Sequence, residues 1–165
     1  MPHVLARSIA AACALLALAN CGQATERPVA RAAASPAAEA VRVASDADTA
    51  CLAEAIYFEA TPAAESRAAV AHVIMNRSED PRFPGSVCGV VRDGCQFSYR
   101  CSGKSLALKD PQKRAAALRT AAAVLGGASP DPTRGALFFH SARAKPGWFK
   151  SRPRVGEIGG NVFYR

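Results

Sequence analysis

The sequence has no long apolar run. Ile9–Ala19 is eleven residues of Ile, Ala, Cys and Leu, well short of the roughly 18–20 that a membrane-spanning helix needs. A multi-span membrane protein is therefore excluded. Acidic residues are also few. There are 13 Asp and Glu against 21 Lys and Arg, a formal charge of +8, which excludes an acidic disordered chain. Aromatics make up only 7 %, and alanine supplies much of the 50 % hydrophobic fraction. Histidine is scarce at three, and no H-E-x-x-H or comparable zinc spacing is present. There is no internal repeat. The 165 residues give room for one domain, or a small domain and a tail.

The short apolar run sits where an export signal would. Met1–Ser8 carries Arg7 and no acid, and Ile9–Ala19 has the length of a signal-peptide hydrophobic region, so residues 1–20 are expected to be a signal peptide. Two processing readings stand. Ala17-Leu18-Ala19 suits cleavage before Asn20. Leu18-Ala19-Asn20-Cys21 resembles a bacterial lipobox with Cys21 lipidated, although a small residue is usual where Asn20 stands. Cysteine arithmetic favours the second. Cys13 leaves with the signal, and an acylated Cys21 leaves Cys51, Cys88, Cys95 and Cys101, an even set suited to two disulfides in an oxidising compartment. Residues 21–46 read as a flexible Ala/Pro-rich linker, because Glu26–Ala44 holds no aromatic, Leu or Ile. Loss of the signal leaves 20 basic against 13 acidic residues. That excess suits a polyanionic partner or an anionic surface, and plain solubility equally.

Residues 47–165 form the expected domain. Thr49–Ala60 predicts a helix with Leu52, Ala55, Ile56 and Glu59 on one face and Glu54 opposite, a solvated charge. Glu59 stands where an apolar residue should be. Burial there would raise its pKa and favour the neutral acid; alternatively it bends to pair with a base such as Arg77. Thr61-Pro62 predicts a new helix start running to about Arg77, apolar nearly all round and so central. His72 on it is expected to be packed rather than a ligand. Val87–Val91 reads as a short strand or turn, Asp93-Gly94 as a hairpin turn, and Cys95–Cys101 as a strand with Gln96, Ser98 and Arg100 on one face. Asp110-Pro111 starts a helix that ends at Gly126-Gly127, with Leu118, Ala121, Ala122 and Leu125 as its core stripe. Ala136–His140 reads as a strand, Lys145–Phe149 as a loop exposing Trp148, and Ile158–Tyr164 as a hairpin. Four cysteines allow three pairings. Cys95–Cys101 would clamp the expected hairpin, and Cys51–Cys88 is what remains.

Six blocks then fall in a familiar order: Ala55-Ile56-Tyr57-Phe58-Glu59-Ala60, Ala69–Arg77, Val87–Val91, Gln96-Phe97-Ser98, Phe139-His140 and Ile158-Gly159…Phe163-Tyr164. Together they resemble the bacterial cell-wall hydrolase family of the spore-cortex lytic enzymes. The resemblance spans about Ala50 to Arg165. It implies a mainly α, lysozyme-like (α+β) domain with a small β-hairpin lobe, and cleavage of peptidoglycan glycan strands with Glu59 as the catalytic acid. Many relatives have Arg-Gly-Glu after the Glu-Ala, where this chain has Thr61-Pro62-Ala63. One carboxyl suffices for lytic transglycosylation, whereas a muramidase would need a second from Glu65, Glu79, Asp80 or Asp93. Tyr57, Gln96, Ser98, His140 and Trp148 are the expected sugar contacts, Trp148 by stacking. No metal or other cofactor is expected, nor a nucleic-acid partner. The partner is peptidoglycan, the chain a monomer, and the membrane enters only through a lipid anchor at Cys21. Two other classes stay open: a zinc amidase, left with only His72 and His140, and a non-catalytic peptidoglycan-binding lipoprotein in which Glu59 is a buried structural acid.

Overall fold

The structure, a computed structural model, describes residues 36–165 except Lys145, with side chains from Asp46 onward. The expected signal peptide, Cys21 and residues 21–35 of the expected linker lie outside the described residues. Four α-helices precede a three-stranded antiparallel sheet: α1 (Pro36–Glu59), α2 (Ala64–Glu79), α3 (Val87–Arg92), α4 (Pro111–Leu125), β1 (Phe138–Ser141), β2 (Arg154–Ile158) and β3 (Asn161–Tyr164). The architecture is the expected α+β. Its strands, however, all lie in the C-terminal third.

α1 starts at Pro36, thirteen residues ahead of the expected Thr49. The upstream stretch that reads as linker is rich in alanine, the best helix former, and proline suits a first turn. Leu52, Ala55 and Ile56 are buried as the helical wheel requires. They pack with Val70, Ala71 and Ile74 of α2, Val90 and Val91 of α3, and Ala117, Ala121 and Val124 of α4. The opposite side of α2 sends Ala69 and Val73 onto Ala136 and Phe163 of the sheet region. α2 is thus the central helix between helical core and sheet. His72 on it is buried.

Four local readings change. α2 begins at Ala64 rather than at Pro62, because Thr61 does not cap it. The Thr61 amide donates to Ser66 Oγ at 3.0 Å, and its hydroxyl donates to the Gly159 carbonyl at 3.1 Å. Val87–Val91 is helix rather than strand. Ser86 caps it by accepting from the Gly89 amide, and Val87, Val90 and Val91 take the i, i+3, i+4 positions of a buried helical face. Cys95–Cys101 holds no strand either, but a turn and a 3-10 helix at Ser98–Cys101. The buried stripe of α4 is Ala117, Ala121 and Val124, while Leu118 is 40 % exposed and Ala122 is exposed. Small alanines let α4 approach α1 closely, and that preference overrides the larger Leu118.

Both disulfides form as expected, Cys51–Cys88 joining α1 to α3 and Cys95–Cys101 closing the turn. The reason for the second differs, since it staples a 3-10 turn and not a hairpin. Glu54 is also not a free solvated charge. It accepts from the Tyr99 hydroxyl at 3.1 Å and pairs with Arg100, docking the stapled turn onto α1. Phe58 stacks on Tyr99 with ring centroids 4.5 Å apart.

In the sheet, β3 is central and wholly buried, flanked by β1 and β2. Ile158 faces Asn161, so the β2–β3 turn is the two residues Gly159-Gly160, with φ of 57° and 82°. Two positive φ values define the tight turn that matches strand twist. A Cβ on Gly159 would lie 2.5 Å from the Ser66 Cβ. The hairpin tip therefore rests directly on the α1–α2 junction. Gly159→Ala should lower the unfolding free energy by about 2–4 kcal/mol, from left-handed strain plus overpacking. Gly160→Ala, with only Thr61 Cγ2 at 4.0 Å, should lose about 1 kcal/mol by strain alone. Denaturant melts of the two variants check this; equal losses would remove the close contact from the account.

Candidate active site

Glu59 ends α1, one residue before the chain turns through Ala60 and Thr61 towards α2. The geometry keeps it half-buried on the core face of the helix. Burial pushes its carboxyl above the usual range, and the positive charge of Arg77 recovers only part of that shift. Desolvation is the larger effect, and among the described residues no ion pair joins Glu59 to Arg77. A carboxyl raised by burial keeps its proton to higher pH than a solvated one, as a proton donor must.

Arg77, near the end of α2, is 5 % exposed. Its Nε donates to the Leu137 carbonyl at 2.7 Å, tying α2 to the start of β1. Its guanidinium lies 5.2, 5.6 and 5.8 Å from the ring centroids of Phe83, Phe97 and Phe138. Burial pulls Arg77 down to about 10; Asp93 and Glu59 oppose that and Arg152 adds to it. Next to Arg77, Asn76 donates to the Ala136 carbonyl at 3.1 Å and to Asp131 at 3.1 Å. Asp131 in turn accepts from the Thr133 and Gly135 amides. The entry to β1 is therefore fixed by α2.

Arg77 forms part of a cleft of about 500 Å³, together with Gln96, Phe138, His140, Trp148 and Arg152. Three of the expected contact residues, Gln96, His140 and Trp148, meet here. Gln96 arrives on the stapled turn, His140 on β1, and Trp148 on a 3-10 helix at Gly147–Ser151 where a loop was expected. His140 stacks on Tyr164 at 5.4 Å and meets the edge of Trp148 at 5.6 Å. Its Nδ1 lies 2.8 Å from the Ser141 carbonyl and its Nε2 3.0 Å from the Tyr164 hydroxyl. A carbonyl can only accept, so Nδ1 carries the proton of the neutral ring and Nε2 accepts from Tyr164. With both nitrogens engaged, His140 is a wall of the cleft.

Tyr57 and Ser98 do not join them. Tyr57 lines a separate cavity of about 310 Å³ with Thr61, Arg67, Asp110 and Lys113. Its hydroxyl accepts from the Asp110 amide at 3.1 Å, and the Lys113 ammonium sits 4.6 Å from its ring centroid. It ties α1 to the first turn of α4. Ser98 is exposed at the start of its 3-10 helix. Two residues of the cleft carried no signal in the sequence. Arg77 appears there only as a partner for Glu59, and Arg152 is one of six bases after Ser141 with nothing to distinguish it. Among the described residues no three His, Cys, Asp or Glu side chains gather closely enough to hold a metal ion.

The helical domain with its small sheet thus carries a half-buried Glu59, raised by burial, within electrostatic reach of Arg77, which lines the cleft; Glu59 itself is not among the cleft's lining residues. Residues 61–164 match the cell wall hydrolase family, and the chain belongs to that family. Glu59 lies two residues ahead of the matched segment. Over 121 residues, 72 % of this chain, it is 36 % identical to a spore cortex-lytic enzyme of Halalkalibacterium halodurans and 34 % identical to one of Bacillus subtilis. These stretches are 35 % and 38 % of the relatives' own lengths, so the chain spans little more than a third of either. Among solved structures, it resembles the catalytic domain of the germination-specific lytic transglycosylase SleB from Bacillus anthracis, with TM-score 0.59, 28 % identity, 72 % of this chain and 93 % of that one. The SleB catalytic domain from Bacillus cereus gives TM-score 0.58 and 27 % identity, over 73 % of this chain and 91 % of that one.

Proposed function

We propose that this chain cleaves peptidoglycan glycan strands between N-acetylmuramic acid and N-acetylglucosamine by lytic transglycosylation, with Glu59 as the single acid and base. The observation that carries the reading is the half-buried Glu59, whose carboxyl burial raises and which feels the charge of Arg77, a lining residue of the cleft. Protonated Glu59 donates to the glycosidic oxygen, and the N-acetylglucosamine hydroxyl leaves. The carboxylate then takes the proton of the muramyl 6-hydroxyl as that oxygen bonds to C1. A 1,6-anhydro sugar forms, and Glu59 regains its proton. Arg77 offsets the charge of the carboxylate between the two transfers.

A muramidase would need a second carboxylate about 5–10 Å away. Asp80 is committed to Arg82, which holds it down to about 2. Glu65 and Glu79 are exposed. Asp93 alone of the four acts on Arg77, and it is the residue through which that second reading would work. Release of soluble muropeptides from purified sacculi tests glycan cleavage itself.

The same proposal makes the protein exported, in keeping with its two disulfides, with Cys21 acylated and the following chain as tether. Wild type should then fractionate with membranes, and Cys21→Ser should appear in the soluble fraction. A soluble wild-type protein beginning at Asn20 would show cleavage after Ala17-Leu18-Ala19 instead.

A further inference from the structure

Among the described residues three arginines have a carboxylate partner: Arg82 has Asp80, Arg100 has Glu54 and Arg154 has Glu157. The two in the cleft do not. The Arg152 guanidinium lies over Phe138, its carbon 3.4 Å from the ring centroid, with the Trp148 centroid at 5.9 Å. Among the described residues its guanidinium makes no ion pair or side-chain hydrogen bond. A guanidinium held over an aromatic ring can still donate its N–H groups to a carboxylate. Arg77 uses Nε on Leu137, but its Nη1 is buried without a hydrogen-bond partner. A buried unmade donor costs free energy until something accepts from it. Two like charges sharing one cleft also repel, which an anion between them relieves.

Beside this pair Trp148, 39 % exposed, offers a face for a sugar ring. We propose that Arg152 and Arg77 form a carboxylate subsite that takes the acidic group on the lactyl arm of a muramyl residue. It rests on the glycan-cleaving reading above and adds to it what the cleft selects: strands bearing an acid over strands whose acid is neutralised. The shared chemistry is a carboxylate, with two sources. In a peptide-free muramyl residue it is the lactyl carboxylate; in a substituted one it belongs to an acidic residue of the stem peptide. Arg152 supplies a guanidinium able to make a bidentate contact, and Arg77 the unpartnered Nη1 as a second donor.

The test is a calorimetric titration of the full chain with three probes. These are the N-acetylglucosaminyl–N-acetylmuramic acid disaccharide, its lactyl methylamide, and the disaccharide carrying an acidic stem peptide. One of the two acids should bind roughly tenfold or more tightly than the methylamide, the range of a charge-assisted fork, and which acid does so identifies the source. Arg152→Gln should remove the preference, and Arg152→Lys should keep only part of it. Equal affinity of wild type for acids and methylamide overturns the subsite. Should Arg152→Gln fail to fold, judged by its thermal melt, the wild-type comparison of acid with methylamide decides alone. Muropeptide release from sacculi is measured in parallel. Cleavage with no acid preference sinks the subsite and leaves the glycan reading standing, whereas an acid preference without cleavage sinks the glycan reading and leaves the subsite.

Discussion

Glu59→Gln should lower the rate of muropeptide release by about a hundredfold or more, the scale of a positioned acid–base group, while the fold survives. Glutamine keeps the shape and hydrogen-bonding capacity of the side chain and loses only the transferable proton. The pH dependence follows from the sign of the shift. Burial raises the Glu59 carboxyl in the folded state, so wild-type activity should fall as pH rises through that raised value. The residual activity of the variant should lack that limb. Wild-type stability should lose the contribution of this carboxyl over the same rise in pH. Ionising a carboxyl whose folded pKa is raised costs the folded state more than the unfolded one, so above the folded pKa the variant should be at least as stable as wild type. Below the unfolded pKa that cost vanishes. Thermal melts and a pH–rate profile on the same preparation check both halves. Near wild-type release by the folded variant would remove Glu59 from the mechanism.

Loss of the Cys51–Cys88 disulfide should be the larger stability effect. It links residues 37 apart in sequence, and constraint of an unfolded loop of that size corresponds to about 4 kcal/mol. Cys95–Cys101 spans 6, for about 2 kcal/mol on the same scale. The double-alanine variants should therefore unfold in the order Cys51/Cys88 first, then Cys95/Cys101, then wild type. Function should divide differently. The short staple holds the turn that delivers Gln96 to the cleft, so its loss should weaken substrate binding beyond its share of stability. Denaturant midpoints give the stability order, and KM measured well below the midpoint gives the functional split. A Cys95/Cys101 variant less stable than the Cys51/Cys88 variant would contradict the loop-length account.

The parts legible in the sequence were those where local chemistry and tertiary packing agree. Asp110-Pro111 caps α4 as read, with its carboxylate accepting from the Gln112 and Lys113 amides. The Gly159-Gly160 hairpin and the apolar α2 are of the same kind. The half-buried position of Glu59 was legible because a carboxylate interrupted an otherwise apolar face. The misreadings share a cause, which is a local signal outweighed by a distant partner. Thr61 looks like a cap, but Ser66 and Gly159 occupy its polar groups. The valines at 87, 90 and 91 look like strand, yet their spacing suits a helix buried on α1 and α2. Glu54 looks solvated until Tyr99 and Arg100, more than forty residues on, are folded against it. Arg152 was invisible for the same reason, since only the fold lays it on Phe138.

The central claim is that Glu59 both gives and takes the proton, so that the muramyl 6-hydroxyl closes the sugar ring. Mass spectrometry of the muropeptides released from purified sacculi tests this most directly. The account predicts products ending in 1,6-anhydro-N-acetylmuramic acid, each lighter by one water than the corresponding hydrolysis product. Products ending in a reducing N-acetylmuramic acid would contradict it and require a second carboxylate to activate water.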